Sequence, residues 1–219
     1  MRDILPDIVI RRLHDRYVAG VTDAEAGFDM SEADEDSLTG ALGQAISTPR
    51  EEFFSINGEI IFVKIDYKKI RGRGGNAPEK YFGIDGIFQI AIKKPSGKVI
   101  RQKALPFQAK KNWTGKDKGL LDQVTTMEKA VLGGIVVDYT NHGYSACKAS
   151  DVVGAQGNRR SKQLSGRVRS LGQILGSDFL NCEIGTVGLQ YDANRELFLI
   201  GEHITPIHLI TTCVQYHDS

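Results

Sequence analysis

The stretch Gly83–Lys111 reads GIDGIFQIAIKKPSGKVIRQKALPFQAKK, and it decides the fold of the chain. Two alternating apolar segments flank a Pro95-Ser96-Gly97 turn, which is typical of a β-hairpin. A hairpin brings the outer ends of its two strands together, so we expect Asp85 to lie near Gln108 and Lys110. The last two residues are two positions apart and therefore point to the same face of the sheet. The hairpin thus predicts a carboxylate, an amide and an ammonium group at one sheet edge.

The overall composition is typical of a soluble globular protein. Of the 219 residues, 41% are hydrophobic and 25% are charged, which is enough for a sizeable core. The formal net charge is only +1, but acidic residues crowd positions 23–36 and basic residues crowd positions 64–118. The basic middle of the chain is the part that suits contact with phosphate groups.

The cysteines and the apolar segments limit the class of protein further. Cys147, Cys182 and Cys213 are far apart and none belongs to a C-x-x-C motif, so neither a disulfide framework nor a zinc site is indicated. No stretch approaches the ~20 apolar residues of a membrane span, and no apolar run follows the charged N-terminus. We therefore expect a soluble cytoplasmic protein that is not associated with a membrane.

Two helices are expected before the sheet. Apolar residues at roughly helical spacing predict the first one within Met1–Val21. The second is predicted over residues 31–46, with Ser31 as its N-cap and acidic residues in its first turn. Its core-facing residues are four positions apart: Leu38, Leu42 and Ile46. Glu35 lies close to the same side of this helix.

The strands and helices alternate in an order that indicates the fold class. The dipeptide Asn57-Gly58 predicts a hairpin turn between strands Glu52–Ile56 and Glu59–Lys68. After the main hairpin, a helix is predicted over Gly115–Leu132 and a buried strand over Ile135–Tyr139. This order predicts an α/β fold in which helices flank a central mixed β-sheet.

A change in composition at the Gly154–Arg160 loop divides the chain. We expect residues 1–153 to form the core and residues 154–219 to form a C-terminal α+β extension packed on it. Apolar spacing predicts a helix from Leu164 to Leu175 in this extension. The arrangement of the remaining residues does not follow from their pattern.

The residue types at the hairpin edge suit a divalent metal ion. Mg²⁺ prefers oxygen ligands, commonly one or two carboxylates together with carbonyl or amide oxygens and waters. Asp85 would be the direct ligand, the side-chain oxygen of Gln108 a weaker neutral ligand, and the carbonyl of Ala109 the next oxygen. Lys110 would help to deprotonate an attacking water or stabilise charge that develops on a phosphate. This combination predicts metal-assisted phosphodiester hydrolysis with Mg²⁺ or Mn²⁺.

The pattern of Asp85, twenty-two intervening residues and Gln108-x-Lys110 resembles the PD-(D/E)XK nuclease superfamily. This superfamily has the restriction-endonuclease-like fold, and the Gln-x-Lys form is that of Mrr-like restriction enzymes. The resemblance covers about residues 31–147, and it implies that Glu35 from the preceding helix joins the metal site. It also implies that Gln123 on the following helix faces that site. The chain departs from the commoner pattern at Gln108, where an Asp or Glu is usual.

Several basic residues are candidates for contact with phosphate. Lys111 adjoins the site, while Arg71 and Arg73 lie in a Gly-rich loop that could wrap a phosphate backbone or serve as a linker. The basic segment Arg159–Arg169 is a surface for nucleic acid or a partner, or else a solvated face. Three further lysines are expected on a solvated basic face: Lys93, Lys94 and Lys103.

The lone tryptophan and the five histidines receive no functional role. Trp113 follows the hairpin and could stack on a base or anchor its loop in the core; we expect the anchor, which is the commoner fate of a single Trp. The histidines, among them His203 and His208, lack the spacing of metal ligands on a helix. We expect them to be structural or exposed.

Three functional hypotheses follow. The first is an Mg²⁺-dependent DNA endonuclease, for which the resemblance implies a role in bacterial restriction or anti-phage defence; RNA stays open as a substrate. Cutting both strands of a duplex favours a homodimer or a subunit of a larger complex. The second is a nucleic-acid-binding or assembly subunit of the same fold without catalysis. It is suggested by Gln108, which stands where the commoner pattern has an acid. The third is an ordinary sheet edge in a protein that binds other proteins.

Overall fold

The structure is a computed structural model that describes residues 1–70, 83–131, 133–192, 197–198 and 206–217. Its α-helices in these ranges are α1 (Asp7–Ala26), α2 (Phe28–Ser31), α3 (Glu35–Ile46), α4 (Lys118–Ala130), α5 (Ala149–Gly154) and α6 (Leu171–Gln173). A 3-10 helix (Lys162–Leu164) precedes α6, and a π-helix (Ile174–Phe179) continues it. Its strands there are β1 (Glu52–Ile56), β2 (Glu59–Lys69), β3 (Gly86–Lys93), β4 (Val99–Lys111), β5 (Ile135–Thr140), β6 (Gly143–Lys148), β7 (Arg169–Ser170), β8 (Thr186–Val187), β9 (Tyr191–Asp192), β10 (Leu197–Phe198) and β11 (His208–His217).

Nine of the described strands form one open mixed sheet. Their order is β1-β2-β11-β3-β4-β5-β6-β7, and β8 pairs with β4 from the side. Two pairs are parallel, β11 with β3 and β4 with β5, and the others are antiparallel. Strands β9 and β10 form a separate two-stranded sheet. The predicted α/β class with a central mixed sheet flanked by helices is therefore confirmed.

Alternating side chains place a hydrophobic core on each face of the sheet. On β3, Phe88 belongs to the core that includes α1 and α3, whereas Ile87 belongs to the core that includes α4 and α5. Because it is covered on both faces, β3 is buried at every position except Lys93. None of the helices in the described ranges combines the length and the apolar character that a membrane crossing requires.

The two predicted hairpins are confirmed. Asn57 and Gly58 have φ angles of 52° and 85°, and positive φ at both central residues is what a type I′ turn requires. They connect β1 to β2 with Ile56 opposite Glu59. In the main hairpin β3 pairs with β4, and Gly86 lies opposite Phe107.

The helix that precedes the sheet begins four residues later than predicted. Asp34 is the N-cap of α3, because its side chain accepts a hydrogen bond of 2.8 Å from the N–H of Ser37. Ser31 instead ends the short helix α2. The predicted core face of α3 is confirmed, since all three of its residues are fully buried: Leu38, Leu42 and Ile46.

The C-terminal part of the chain differs most from expectation. The predicted helix from Leu164 to Leu175 is wrong, because a turn with Gly166 at φ +73° interrupts it and only α6 and the π-helix follow. The expected extension, residues 154–219, also supplies β7, β8 and β11 to the same sheet as residues 1–153. Strand β11 lies in the middle of that sheet, where its backbone groups bond to β2 on one side and β3 on the other.

Lys103 is buried and does not belong to a solvated face. It lies on the α1 side of β4 and its side chain is 0% exposed. Its ammonium group donates to the carbonyl of Phe179 and stands 4.2 Å from the centre of that residue's ring. Burial lowers the pKa of Lys103 to about 8, because it penalises the charged form.

Candidate functional site

A cavity of about 200 Å³ opens at the sheet edge where β3 and β11 begin and β4 ends. Helix α3 lines it from one face of the sheet and α4 lines it from the other. Six of its lining residues are predicted site residues: Glu35, Asp85, Gln108, Ala109, Lys110 and Gln123. The others are Asp36, Thr39, Ile207 and His208.

Asp85 is held in place by close packing of the chain around it. Gly83 has φ +62°, and a Cβ atom there would lie 2.0 Å from the carbonyl oxygen of Gln123. This segment therefore passes α4 at a distance that only glycine allows. The carbonyl of Asp85 also accepts hydrogen bonds of 3.0 Å from the N–H groups of Ile207 and His208. Backbone contacts from both sides thus fix the position of its side chain.

The carboxylate of Asp85 contacts the end of β4, as the hairpin predicts. Its Oδ2 atom accepts a hydrogen bond of 2.5 Å from Nε2 of Gln108 and another of 2.7 Å from the N–H of Ala109. Gln108 is only 4% exposed. Its Oε1 atom is buried and has no hydrogen-bond partner in the described part of the chain. A buried acceptor without a partner is costly, so this oxygen suits an added donor or cation.

Lys110 lines the cavity but pairs with an acid that the sequence pattern does not indicate. Its Nζ atom lies 2.8 Å from Oδ2 of Asp117, and both side chains are partly exposed. Asp117 is also the N-cap of α4 and accepts the N–H of Leu120 at 2.9 Å. Burial raises the pKa of Asp117, but the Leu120 N–H and the ammonium of Lys110 lower it more, so the net shift is downward. The ion pair connects the cavity to the start of α4.

Glu35 and Lys111 connect α3 to the end of β4. Oε1 of Glu35 lies 3.3 Å from the backbone N–H of Lys111, which donates to it. The side chain of Lys111 points to the opposite face from Lys110, because neighbouring residues of a strand alternate. Its ammonium group contacts Glu32 instead, with the carboxylate at 3.6 Å. The structure therefore does not bring the Lys111 side chain into the cavity.

The remaining predicted contacts are divided between the cavity and undescribed residues. Gln123 lies on α4 and lines the cavity, as expected from the resemblance. Arg71 and Arg73 lie outside the described residues. Trp113 is 5% exposed and is confirmed as an anchor of its loop.

A buried histidine and its acidic partner lie beside the site, and the sequence pattern missed both. Nε2 of His208 lies 2.9 Å from Oδ1 of Asp36, and its Nδ1 lies 2.9 Å from the hydroxyl of Tyr67. Lys69 pairs with the second oxygen of Asp36 at 2.6 Å. Burial raises the pKa of Asp36, but Lys69 and His208 outweigh it and the net shift is downward. Only the position of β11 brings His208 here, and no local sequence signal shows it.

The oxygen atoms around the cavity are of the kinds that a divalent ion takes as ligands. Two carboxylates, those of Asp85 and Glu35, are joined by the carbonyl of Ala109 and the unpartnered oxygen of Gln108. Carboxylate, amide and carbonyl oxygens are the ligands that Mg²⁺ accepts. In the ranges that the structure describes, no group of three or more His, Cys, Asp and Glu residues is placed to hold a metal ion. A site here would therefore include the amide or the carbonyl.

Comparisons of the chain with protein families, with characterised proteins and with solved structures find no match in any of the three. The case for a function therefore depends on the cavity and on the residues that line it.

Proposed function

We propose that the chain is a metal-dependent nuclease of restriction-endonuclease-like fold that hydrolyses phosphodiester bonds in DNA. One observation carries the proposal: a single cavity collects residues from α3, from the position just before β3, from the end of β4 and from α4. These residues are far apart in sequence and supply carboxylates, an amide and an ammonium group. That set of groups suits a phosphate and a divalent cation together.

Each residue has a role in this proposal. Asp85 and Glu35 would hold Mg²⁺ or Mn²⁺, with the Ala109 carbonyl and Gln108 completing the protein ligands. The bound ion would polarise the phosphate and activate a water. Lys110 supplies positive charge for the phosphate, and Gln123 offers a polar side chain from the opposite wall of the cavity.

The ion pair with Asp117 leaves Lys110 available to a substrate. Both side chains are partly exposed, at 30% for Lys110 and 27% for Asp117. An exposed ion pair contributes only ~0–1 kcal/mol to stability, so little free energy is lost when Lys110 leaves Asp117. A phosphate would offer the ammonium group charge-assisted hydrogen bonds in exchange. A bound phosphate can therefore compete with Asp117 for the ammonium group.

The biological setting belongs to the same proposal. The resemblance to Mrr-like enzymes supports a cytoplasmic role in bacterial restriction or anti-phage defence. Cleavage of both strands of a duplex needs two active sites, which supports a homodimer or a larger defence complex. RNA is retained as a possible substrate class, because the cavity residues address a phosphate and not the sugar.

A second candidate is a nucleic-acid-binding subunit of the same fold without catalysis. Gln108 carries no charge, so the site has one carboxylate fewer to neutralise a divalent ion. Its amide already donates to Asp85, and Lys110 already pairs with Asp117. These internal contacts stabilise the site without an ion, and this is the observation that favours the second candidate.

A cleavage assay separates the two candidates. Purified protein is incubated with plasmid DNA, single-stranded DNA and RNA in Mg²⁺, in Mn²⁺ and in EDTA. Asp85→Asn keeps the shape of the side chain but removes its charge, and Lys110→Met keeps the stem of the side chain but removes the ammonium group. Lys111→Met is the matched control, because it changes the next lysine of the same strand on the opposite face.

The nuclease proposal expects metal-dependent cleavage that both Asp85→Asn and Lys110→Met reduce by at least about 100-fold and that Lys111→Met retains. Cleavage that continues in EDTA, or that survives both substitutions, would show that this cavity is not the active site. Binding of nucleic acid that weakens with salt, without cleavage in either metal, would favour the second candidate.

A further inference from the structure

Two loops that are distant in sequence form one basic lobe beside the cavity, made of residues 113–118 and 157–162. Four hydrogen bonds to backbone carbonyls join them: Asp117 N–H to Gly157 at 3.0 Å, the Trp113 indole N–H to Gly157 at 3.3 Å, Arg159 N–H to Gly115 at 3.0 Å, and Arg160 Nε to Thr114 at 2.8 Å. The basic lobe is therefore a single unit, and its side chains project from a fixed backbone.

Buried contacts anchor the basic lobe to the sheet. The indole N–H of Trp113 donates to the Gly115 carbonyl at 2.9 Å, and its backbone N–H donates to Asp138 at 2.9 Å. Arg159 stands 5.7 Å from the Trp113 ring and has its Nε atom 3.6 Å from Asp138. Gly157 has φ +67°, and a Cβ there would meet the Asp117 carbonyl at 2.5 Å. The lobe thus has little freedom to move relative to β4 and β5.

The charge of the basic lobe is almost uncompensated. Its exposed cations are Lys116, Lys118, Arg160 and Lys162. In the described part of the chain, none of these four side chains has an acidic partner within ion-pair distance. The one acid of the lobe is Asp117, which pairs with Lys110, and the four exposed cations outnumber it even when a phosphate takes its place at Lys110. The two arginines of the segment that follows, Arg167 and Arg169, are paired with Asp151 and Asp178 and add no free charge to the lobe.

The basic lobe is attached to the cavity through the Lys110–Asp117 ion pair, which spans 2.8 Å. Lys110 lines the cavity, and Asp117 belongs to the lobe. A chain of phosphates that leaves the cavity on this side therefore meets the exposed cations next.

We propose that the basic lobe binds the sugar-phosphate backbone of the nucleic acid whose scissile phosphate lies in the cavity. The inference rests on the proposed function of that cavity. Cations on a fixed backbone suit a regular polyanion, because the loops that carry them need little ordering on binding.

The side chains of the lobe favour nucleic acid over an acidic protein as the occupant. Protein interfaces depend on apolar or aromatic anchors at their centre. In the described part of the lobe no large apolar side chain is exposed, and Trp113 is buried. Phosphate contacts need only the charges that the lobe presents.

The test measures binding apart from cleavage. A fluorescently labelled DNA duplex is titrated with protein in EDTA over a range of salt concentrations, and anisotropy gives the affinity. The lobe variant replaces all four exposed cations by glutamine: Lys116→Gln, Lys118→Gln, Arg160→Gln and Lys162→Gln. A control variant with the same change in charge replaces exposed cations elsewhere: Arg11→Gln, Lys94→Gln, Lys98→Gln and Lys129→Gln. A lobe variant that keeps Arg160 provides a second test if loss of its bond to Thr114 impairs folding.

The expected result is an affinity at low salt that falls at least about tenfold in the lobe variant and little in the control variant. The slope of log K against log salt should also become less negative by ~0.9 for each phosphate contact that is lost. An equal fall in both variants would show a general effect of net charge and overturn the proposal. Unchanged binding, or binding of poly-glutamate but not of DNA, would overturn it as well.

Comparison with the cleavage assay distinguishes this inference from the proposed function. If DNA binding depends on the lobe but the protein cleaves nothing in either metal, the lobe proposal stands and the nuclease proposal fails. If cleavage depends on Asp85 but the lobe variant binds and cleaves DNA normally, the nuclease proposal stands and the lobe proposal fails.

Discussion

Gln108 is the residue at which the chemistry of the candidate site is most specific. Its amide nitrogen is 2.5 Å from the Asp85 carboxylate, while its oxygen is buried without a partner among the described residues. The amide nitrogen therefore stabilises the Asp85 carboxylate when no cation is bound, and the amide oxygen is left to bind a cation. A second carboxylate at this position would repel that of Asp85 unless a cation or a proton lay between them.

Replacing Gln108 by Glu tests this directly. Without metal the Gln108→Glu variant places two carboxylates together and loses the amide hydrogen bond, so we expect a free energy of unfolding lower by about 1–3 kcal/mol. Mg²⁺ should then raise the melting temperature of the variant more than that of the wild type. The control is Gln102→Glu on the same strand, where the amide donates to the Gly188 carbonyl at the surface. Equal Mg²⁺ shifts in the two variants would contradict a metal site at Gln108.

Lys103 makes the stability of the protein depend on pH. Its pKa in the folded state is about 8, against an ordinary value of 10.5, so between these pH values the unfolded chain binds more protons than the folded one. Stability should therefore rise as pH increases from 8 to 10.5, because the cost of burying the charge disappears. Urea unfolding should show the wild type gaining about 2 kcal/mol relative to Lys103→Met over this range. Relative to exposed Lys148→Met, which keeps Lys103, the wild type should gain nothing over this range, and a gain of the same size relative to that variant would exclude Lys103 as the cause.

The part of the site that could be predicted is the part that depends on local pairing. Asp85 and Gln108 meet because both lie at the open end of one hairpin, whose strands and turn are visible in the residue pattern. Lys103 was misplaced because an alternating strand does not show which of its two faces meets solvent when both are covered. His208 was missed because its neighbours come from α3 and β2, far away in the chain.

Among the elements, α3 owes its close approach to the sheet to a glycine. A Cβ atom at Gly43 would lie 2.3 Å from the ring of Tyr67 on β2, whereas one at Gly40 would meet only the Tyr67 hydroxyl at 3.5 Å. The hydroxyl of Tyr67 bonds to His208, so the packing of α3 also supports one wall of the cavity.

The two glycines form a matched pair for a test of this packing. Gly43→Ala should lower the free energy of unfolding by about 1–3 kcal/mol, because α3 or Tyr67 must move. Gly40→Ala should leave stability unchanged or raise it by up to about 1 kcal/mol, since alanine favours a helix and meets no clash. Chemical denaturation of both variants measures the difference. Similar losses in the two variants would show that α3 does not pack on β2 through Gly43.

The N-cap of helix α4, Asp117, makes two kinds of contact. Asp117 caps the helix and also holds the ammonium of Lys110, so the two contributions need separate variants. Asp117→Ala should lower the free energy of unfolding by about 1 kcal/mol, whereas Asp117→Asn keeps a capping oxygen and should lower it by only a few tenths, about 0.3 kcal/mol. Both measurements come from denaturant titration. A loss in Asp117→Asn as large as in Asp117→Ala would assign the stability to the ion pair instead of the cap.

The start of α3 shows why element boundaries are harder to predict than elements. Ser31 and Asp34 are both good N-caps, and both precede acidic residues and an apolar run. The chain uses Ser31 to end α2 and Asp34 to begin α3. The buried positions of α3 were predicted correctly, because their spacing does not depend on where the helix begins.

At the scale of the whole molecule, the sheet is united by its C-terminal strand. β11 pairs along ten residues with β2 and along eight with β3, which are not paired with each other. The α/β class could be predicted, because it follows from local periodicity and the order of elements. The place of β11 could not, because an apolar strand with both faces covered fits several positions in a mixed sheet.

Removal of β11 should therefore abolish folding and not merely shorten the protein. A chain that ends at residue 205 should lose its cooperative thermal transition, since β2 and β3 are left with unpaired edges in the middle of the molecule. A synthetic peptide of residues 206–217 should restore the transition when added in excess. The same peptide with Thr212→Pro should fail, because proline removes a donor in a central strand. A cooperative transition in the truncated chain alone would contradict the central role of β11.

The central position of β11 also affects the protein while it is being made. Ribosomes synthesise the chain from its N-terminus, so the other described strands leave the exit tunnel before β11 does. Until then β2 and β3 have no strand to join them, and the Asp85 carbonyl lacks the N–H groups of Ile207 and His208. The walls of the cavity are therefore complete only once β11 has paired with β2 and β3, so the last of the described strands to be synthesised completes the site.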